Sequence, residues 1–104
     1  MFLHRVAITG IGIVSCLGKD LQTVGDVLRA GRSGIVIDPR RTELGFRSPL
    51  TGLIEDFDNS ILTRKQRKSM PEFAVWSYAS ATSALQSAGL DAEAIQNDQT
   101  GLLY

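Results

Sequence analysis

The sequence predicts an α/β fold, because strand-like and helix-like segments alternate along its 104 residues. Residues 6–8 form a short β-branched apolar run, which is typical of a central strand covered on both faces. Residues 20–30 and the segment ending at Gly89 show helical patterns, and residues 100–104 begin a second strand-like run. We therefore expect buried strands that are connected and covered by helices.

Glycines follow the first predicted strand at positions 10, 12 and 18. Glycine has no Cβ, so the chain can pass close to other backbone or bend sharply there. Gly10 and Gly12 after a strand also match part of a dinucleotide-binding fingerprint, which makes a nucleotide-binding oxidoreductase fragment one alternative. Against it, Ser15 stands where that pattern needs a third Gly or Ala, and no helical pattern begins before Gly18.

The first helix is predicted over residues 20–30. Asp20 is a plausible N-cap, and Leu21, Val24 and Leu28 recur at helical spacing. Gly31 fits the position after the helix end, where a positive φ is wanted. The helix is therefore expected to be amphipathic.

Residues 32–58 predict a long and mostly irregular excursion. Residues 35–37 and 50–54 have extended character, but Pro39, Gly45 and Pro49 interrupt any longer element. Loops of this length in compact domains are usually functional or docked on another part of the protein. We expect this one to pack on parts of the protein outside these residues.

A second helical signal begins at Thr63 and continues to Gly89. Ser69 and Glu72 have capping-box spacing, with Pro71 in the first turn. No charged residue occurs from 73 to 88, and helices without a charged face are usually buried. Burying such a helix needs more protein than one small domain supplies, so we expect the chain to be an N-terminal piece of something larger.

Composition excludes several functional classes. Lys plus Arg equal Asp plus Glu at 11 each, so no overall charge favours nucleic acid or an anionic membrane. No apolar stretch approaches the ~20 residues of a membrane span. A single cysteine allows no internal disulfide and fits a reducing compartment, and one histidine with one cysteine makes no zinc pattern.

Few residues are candidates for chemistry. Cys16 has no histidine close in sequence to activate it, which favours a buried structural role over that of a nucleophile. His4, at the chain start, is expected at the surface or at a strand end. Asp38 and the acidic residues at 55–58 have no fixed spacing as an acid–base pair and are interpreted as surface loop.

The strongest candidate site is a cluster of four basic residues near the start of the second helical signal. Positive charge at a helix N-terminus opposes the helix dipole, and an anionic partner offsets that cost. The alternative is a solvated helix surface. The cluster consists of Arg64, Lys65, Arg67 and Lys68.

Four segments, in order and spacing, resemble the β-ketoacyl-[acyl-carrier-protein] synthases of the thiolase superfamily. They cover nearly the whole chain and comprise residues 5–18, 28–35, 64–70 and 84–90. The resemblance implies a thiolase-like αβαβα fold. Residues 1–104 are then an incomplete N-terminal portion with the first strand, a helix, the excursion, a long buried helix and the start of a second strand.

By resemblance, the parent is a cytoplasmic, homodimeric acyltransferase that condenses an acyl chain with malonyl-carrier protein in fatty-acid or polyketide synthesis, without a cofactor. Its catalytic cysteine and two histidines belong to motifs outside these residues, so this segment alone is expected to be inactive. Residues matching Arg64, Lys65 and Lys68 help dock the acidic acyl carrier protein in this family. A non-catalytic chain-length-factor-like subunit and a stand-alone carrier-binding module remain alternatives.

Overall fold

The computed structural model describes residues 3–103, which form five α-helices and one two-stranded sheet. The sheet has two antiparallel strands. A short 3₁₀ helix, Asn59–Ile61, follows the sheet in the sequence and precedes the later helices. In chain order, the regular elements are α1 (Leu21–Arg29), β1 (Ile35–Ile37), α2 (Pro39–Glu43), β2 (Leu50–Gly52), α3 (Arg64–Ser69), α4 (Glu72–Ala88) and α5 (Ala92–Ile95).

Helix α1 confirms the prediction for residues 20–30. The Asp20 carboxylate accepts a 2.8 Å hydrogen bond from the Thr23 backbone N–H, which fixes the first turn. Gly31 follows the helix with φ 65°, and its N–H donates to the Leu28 carbonyl at 3.1 Å. Val24 is the one buried residue of the helix.

The excursion is more ordered than the sequence predicts. Strands β1 and β2 pair in antiparallel register, with Ile35 opposite Gly52, and α2 fills the connection between them. We call residues 35–52 the arm. Pro39 is the first residue of α2, where a missing N–H costs nothing, and Asp38 caps that helix. The extended character predicted at 35–37 and 50–54 is confirmed by β1 and β2, and most of residues 32–58 is irregular as predicted. Helix α2 was not predicted: Pro39 begins an element there, whereas the sequence predicts an interruption.

The segment predicted as one helix from Thr63 to Gly89 forms two helices, α3 and α4. The capping box lies at Thr63 and Gln66, whose side chains exchange hydrogen bonds with each other's backbone N–H groups. The predicted capping box at Ser69 and Glu72 is wrong, because the Ser69 hydroxyl donates back to the Gln66 carbonyl at 3.0 Å. Pro71 disfavours helical backbone in the residue before it and so separates α3 from α4.

No strand forms at residues 6–8 or 100–103, in contrast to the sequence expectation. Val6 is 89% exposed, Ile8 83% and Leu103 98%. A strand is stabilised by its ladder partners, and within residues 3–103 nothing pairs with either segment. Tyr104, the last residue of the second predicted strand, lies outside the described residues.

The chain encloses very little core. Among residues 3–103, four apolar side chains are buried: Val24, Leu62, Val75 and Ala79. The accessible surface is 9117 Å², against roughly 5,700 Å² expected for a folded monomer of this mass. The radius of gyration is 17.4 Å, against about 13 Å expected. The structure therefore exposes roughly 3,400 Å² more surface than a folded monomer of this mass.

Helix α4 accounts for part of that surface. The sequence predicts a buried helix, but only Val75 and Ala79 of α4 are buried, and Phe73 is 67% exposed. That prediction assigns the cover of α4 to protein outside these residues, so the burial of the rest of α4 stays a prediction. No helix within residues 3–103 is both long and apolar enough to cross a bilayer.

Candidate functional site

The N-terminal segment lies close against the backbone of α4. A Cβ placed on Gly10 would lie 2.2 Å from the Ala84 carbonyl oxygen, and one on Gly12 would lie 1.8 Å from that of Ser80. Alternate residues of an extended chain are about 6.7 Å apart, and residues i and i+4 of a helix are about 6 Å apart. Two glycines at i and i+2 therefore meet two successive turns of α4. The prediction of close backbone approach at these glycines is confirmed.

This packing differs from that of a phosphate-binding turn. In a dinucleotide site a helix begins directly after the glycines, and its free N–H groups face the phosphates. Here the chain instead forms a tight turn, with the Ser15 N–H donating to the Gly18 carbonyl at 2.9 Å. Helix α1 starts only at Leu21, and the Asp20 carboxylate covers its N-terminus. A capping carboxylate repels phosphate, so the geometry disfavours nucleotide binding.

Cys16 lies in this turn, half-buried against the base of the arm. A Cβ on Gly34 would lie 2.8 Å from Cys16 Sγ, and one on Gly52 would lie 3.0 Å from it. The thiol therefore fills space that two glycines leave open, which agrees with a packing role. His4 is exposed, and within residues 3–103 no group of three His, Cys, Asp or Glu side chains is placed to hold a metal ion.

Two of the acidic candidates, Asp38 and Asp58, cap helices. Asp38 accepts from the Arg40 N–H at 3.0 Å at the start of α2. Asp58 accepts from the Ser60 N–H at 2.8 Å at the start of the 3₁₀ helix. Hydrogen bonds from the Ser60 backbone and hydroxyl, with a smaller effect from the Lys19 charge, lower the pKa of Asp58. Both carboxylates therefore stabilise local structure.

The basic cluster forms one surface of α3. With 100° per residue, its four side chains span an arc of about 160°. All four residues are exposed, and in the part of the chain that the structure describes no carboxylate lies within 4.0 Å of their cationic groups. The cluster is Arg64, Lys65, Arg67 and Lys68.

The helix-dipole argument holds for only half of this cluster. Because α3 ends at Ser69, Arg67 and Lys68 lie in its last turn, where positive charge is favourable. Only Arg64 and Lys65 lie at the unfavourable N-terminal end. What distinguishes the cluster in the structure is its set of unpaired cations on one exposed surface.

A cleft of 330 Å³ opens directly beside the cluster. We call it the α3 cleft. Its floor consists of buried and half-buried apolar side chains, and its rim consists of exposed polar ones. The floor residues are Ile54, Phe57, Met70, Val75 and Trp76, and the rim residues are Asp56, Asn59, Arg67 and Glu72.

The loop that forms one wall of the α3 cleft is held in place by Lys19. Its Nζ donates to the Asp56 carbonyl oxygen at 2.6 Å and lies 5.9 Å from the centroid of the Phe57 ring. Sequence reasoning found Arg67 but missed the cleft. Lys19, Phe57 and Trp76 are far apart in sequence, and no periodic pattern connects them.

A second groove of 510 Å³ separates the two extended segments. It is lined by Thr9 and Gly10 on one side and by Thr100, Gly101 and Leu102 on the other. The remaining lining residues are Ala81, Ala84, Leu85 and Ala88 of α4 and Ile95 of α5. The two segments therefore lie along the same helix without hydrogen bonds between them.

Comparison with known proteins gives one family. Residues 3–104 match the model of the β-ketoacyl synthase N-terminal domain. The chain is 36% identical over 101 residues to 3-oxoacyl-[acyl-carrier-protein] synthase 1 of Haemophilus influenzae, covering 97% of the chain and 25% of that protein. It is 35% identical over 102 residues to the Escherichia coli K12 protein of the same name, again covering 97% and 25%.

A protein named 3-oxoacyl-[acyl-carrier-protein] synthase 2 gives a weaker match. The Vibrio cholerae protein is 30% identical over 92 residues, covering 88% of the chain and 22% of that protein. The chain thus spans about a quarter of the length of the curated relatives it matches.

Proposed function

The chain belongs to the β-ketoacyl synthase family, and we propose that it is the N-terminal portion of a 3-oxoacyl-[acyl-carrier-protein] synthase. The observation that carries this proposal is the family match over residues 3–104, together with relatives of that name. The reaction proposed for the parent joins an acyl chain to malonyl-carrier protein with loss of carbon dioxide, in fatty-acid or polyketide synthesis. The parent is proposed to be a cytoplasmic homodimer.

The uncovered surface supports the proposal that this is one part of a larger thiolase-like fold. Residues 6–8 and 100–104 are strand-like in sequence, and in a complete sheet they would gain ladder partners and cover for exposed side chains such as Val6 and Leu102. The roughly 3,400 Å² of surface beyond that of a folded monomer is more than one partner typically buries in a permanent interface, about 1,000–2,500 Å². The remainder of the parent is the proposed cover.

Catalysis is assigned to residues outside this chain. Acyl transfer needs a thiol nucleophile with an activating group, and stabilisation of the developing charge. Cys16 is enclosed by Gly34 and Gly52 and has a packing role, and His4 is exposed. We expect no condensation by the purified chain in an assay with radiolabelled malonyl-carrier protein. Turnover above a blank without protein would contradict this assignment.

The proposed role of α3 is docking of the acidic carrier protein. Its four unpaired cations give a local positive field on a chain with zero net charge. Electrostatic complementarity of this kind mainly raises the association rate and sets orientation. The capping box at Thr63 and Gln66 fixes the helix that presents these charges.

Charge reversal tests this role. Arg64→Glu combined with Lys65→Glu is expected to weaken carrier-protein binding about tenfold at low salt, mainly by slowing association. The loss should shrink as ionic strength rises, because the charges are exposed. Arg40→Glu combined with Arg47→Glu in the arm is the matched control, because both side chains are exposed and the change in net charge is the same but away from α3. Equal loss in both double variants would refute docking at α3.

A further inference from the structure

We propose that Lys19 is a latch that keeps the α3 cleft closed around Trp76. In this proposal residues 53–58, which we call the cleft loop, have a second state in which they move away from α4 and uncover the indole. Lys19 holds them in the observed state. The latch controls access to the cleft and is independent of what α3 binds.

Lys19 contacts two consecutive residues of the cleft loop from a distant part of the chain. Its Nζ donates to the Asp56 carbonyl oxygen at 2.6 Å and lies 5.9 Å from the centroid of the Phe57 ring. In the part of the chain that the structure describes, this is the one hydrogen bond to the backbone of residues 53–57. Loss of the Lys19 charge therefore leaves the middle of the loop without a polar anchor.

Asp56 supplies the reason for a second state. Its φ is 50°, and among residues 3–103 it is the one residue other than glycine with a positive φ. Left-handed backbone stores strain in a residue that has a Cβ, and such positions occur in segments that switch between states. Opening of the cleft loop would let Asp56 return to an ordinary conformation. The latch and the strain act on the same residue, because Lys19 holds the carbonyl of Asp56 itself.

The cleft loop covers part of the cleft floor. Ile54 and Phe57 of the loop are half-buried, and they line the cleft together with the half-buried Trp76 and the buried Val75 of α4. Movement of the loop away from α4 would therefore expose Trp76 to solvent. Since Trp76 is the only tryptophan in the sequence, its quenching by acrylamide measures the opening.

Lys19→Met tests the latch, because it keeps the apolar stem of the side chain and removes the charge. The Ser60 N–H donates to Asp58 Oδ1 at 2.8 Å, so this amide loses its acceptor when the cleft loop moves. We expect it to exchange with solvent about tenfold faster in the variant, the change that follows from loss of one charge-assisted hydrogen bond. The same shift in population should raise the acrylamide quenching constant of Trp76 about twofold.

Arg41→Met is the matched control. Arg41 also anchors a loop through a carbonyl and an aromatic ring, since its Nε donates to the Ser48 carbonyl at 3.1 Å and its guanidinium lies 4.6 Å from the Phe46 ring. These contacts lie within the arm. The control should leave both the Ser60 exchange rate and the Trp76 quenching constant unchanged.

Two substitutions at Asp56 test the strain. Asp56→Ala and Asp56→Gly both remove the carboxylate and differ from each other only in the Cβ. At a φ of 50° alanine is strained and glycine is not, so the Ser60 amide should exchange about fivefold faster in Asp56→Ala than in Asp56→Gly. In a loop without strain the order would be reversed, because glycine is the more flexible residue.

The latch is supported if Lys19→Met increases both exchange and quenching and if Asp56→Ala opens more readily than Asp56→Gly. It is overturned if Lys19→Met behaves like Arg41→Met, or if exchange rises while Trp76 quenching does not. Equal acceleration of the α4 amides in Lys19→Met would also overturn it, because the latch acts only on the cleft loop. A looser loop in Asp56→Gly than in Asp56→Ala would overturn the second state.

Discussion

Gly12→Ala tests whether the strand-on-helix contact organises the N-terminal segment. The new Cβ would stand 1.8 Å from the Ser80 carbonyl oxygen, whereas real Cβ contacts are essentially never under 3.0 Å. The obstacle is backbone, so no rotamer change relieves it, and either the segment or α4 must move by more than about 1 Å. Overpacking of this kind costs about 1–3 kcal/mol. Alanine also lowers the conformational entropy of the unfolded chain, but this stabilises the variant by only about 0.4–1 kcal/mol, so the clash dominates.

The assay is urea unfolding of the chain followed by Trp76 emission, which reports on α4 one turn from Ser80. With a slope of about 1 kcal/mol per molar for a small protein, the midpoint should fall by roughly 1 M. Gly25→Ala is the matched control: its Cβ meets nothing closer than Arg29 Nη1 at 3.4 Å, and it lies inside α1. It should stabilise by about 1 kcal/mol. An unchanged or raised midpoint in Gly12→Ala would refute the packing argument.

Two further predictions concern helix caps. Hydrogen bonds from the Thr23 backbone and hydroxyl lower the pKa of Asp20 in the folded state. The Asp20 cap therefore contributes its full stabilisation above the pKa of the unfolded state, about 3.9. That contribution is lost as the pH falls through the lower pKa of the folded state. Serine caps a helix without a carboxylate, so Asp20→Ser should make the free energy of unfolding, measured by urea melts at a series of pH values, less dependent on pH. The same pH dependence in the variant and in the original chain would count against the Asp20 cap. Thr63→Ala removes one side of the capping box and should cost about 1 kcal/mol, while Lys65→Ala should change stability by less than about 0.5 kcal/mol. Equal midpoints for these two variants in the same melts would show that the box is not formed.

Local signals in the sequence were sufficient for α1 and for the end of α4. Asp20 and Gly31 set the limits of α1, and Gly89 ends α4 with φ 71°, because caps act over one turn and depend on neighbours in sequence. The strand at 6–8 is a different case. The apolar run at residues 6–8 predicts a buried strand. Burial and pairing require a neighbouring strand and a covering layer, and residues 3–103 provide neither for this segment.

The site was predictable in part for a similar reason. The cations of α3 are adjacent in sequence, so composition alone located them. The α3 cleft requires Lys19 to hold a loop near residue 56 and requires Trp76 to lie behind that loop. These contacts join positions tens of residues apart, and no local pattern encodes them.

The uncovered surface has a consequence for how the protein is made. In the proposed parent, which would be about four times as long, this N-terminal segment would leave the ribosome early and would wait while roughly 300 further residues are added. At 5–20 residues per second, that wait is on the order of 15–60 s. Throughout it, the unpaired backbone and the exposed Val6 and Ile8 side chains are open to other nascent chains. Shielding by a chaperone during translation is therefore expected to matter more for this first quarter than for the segments that later cover it.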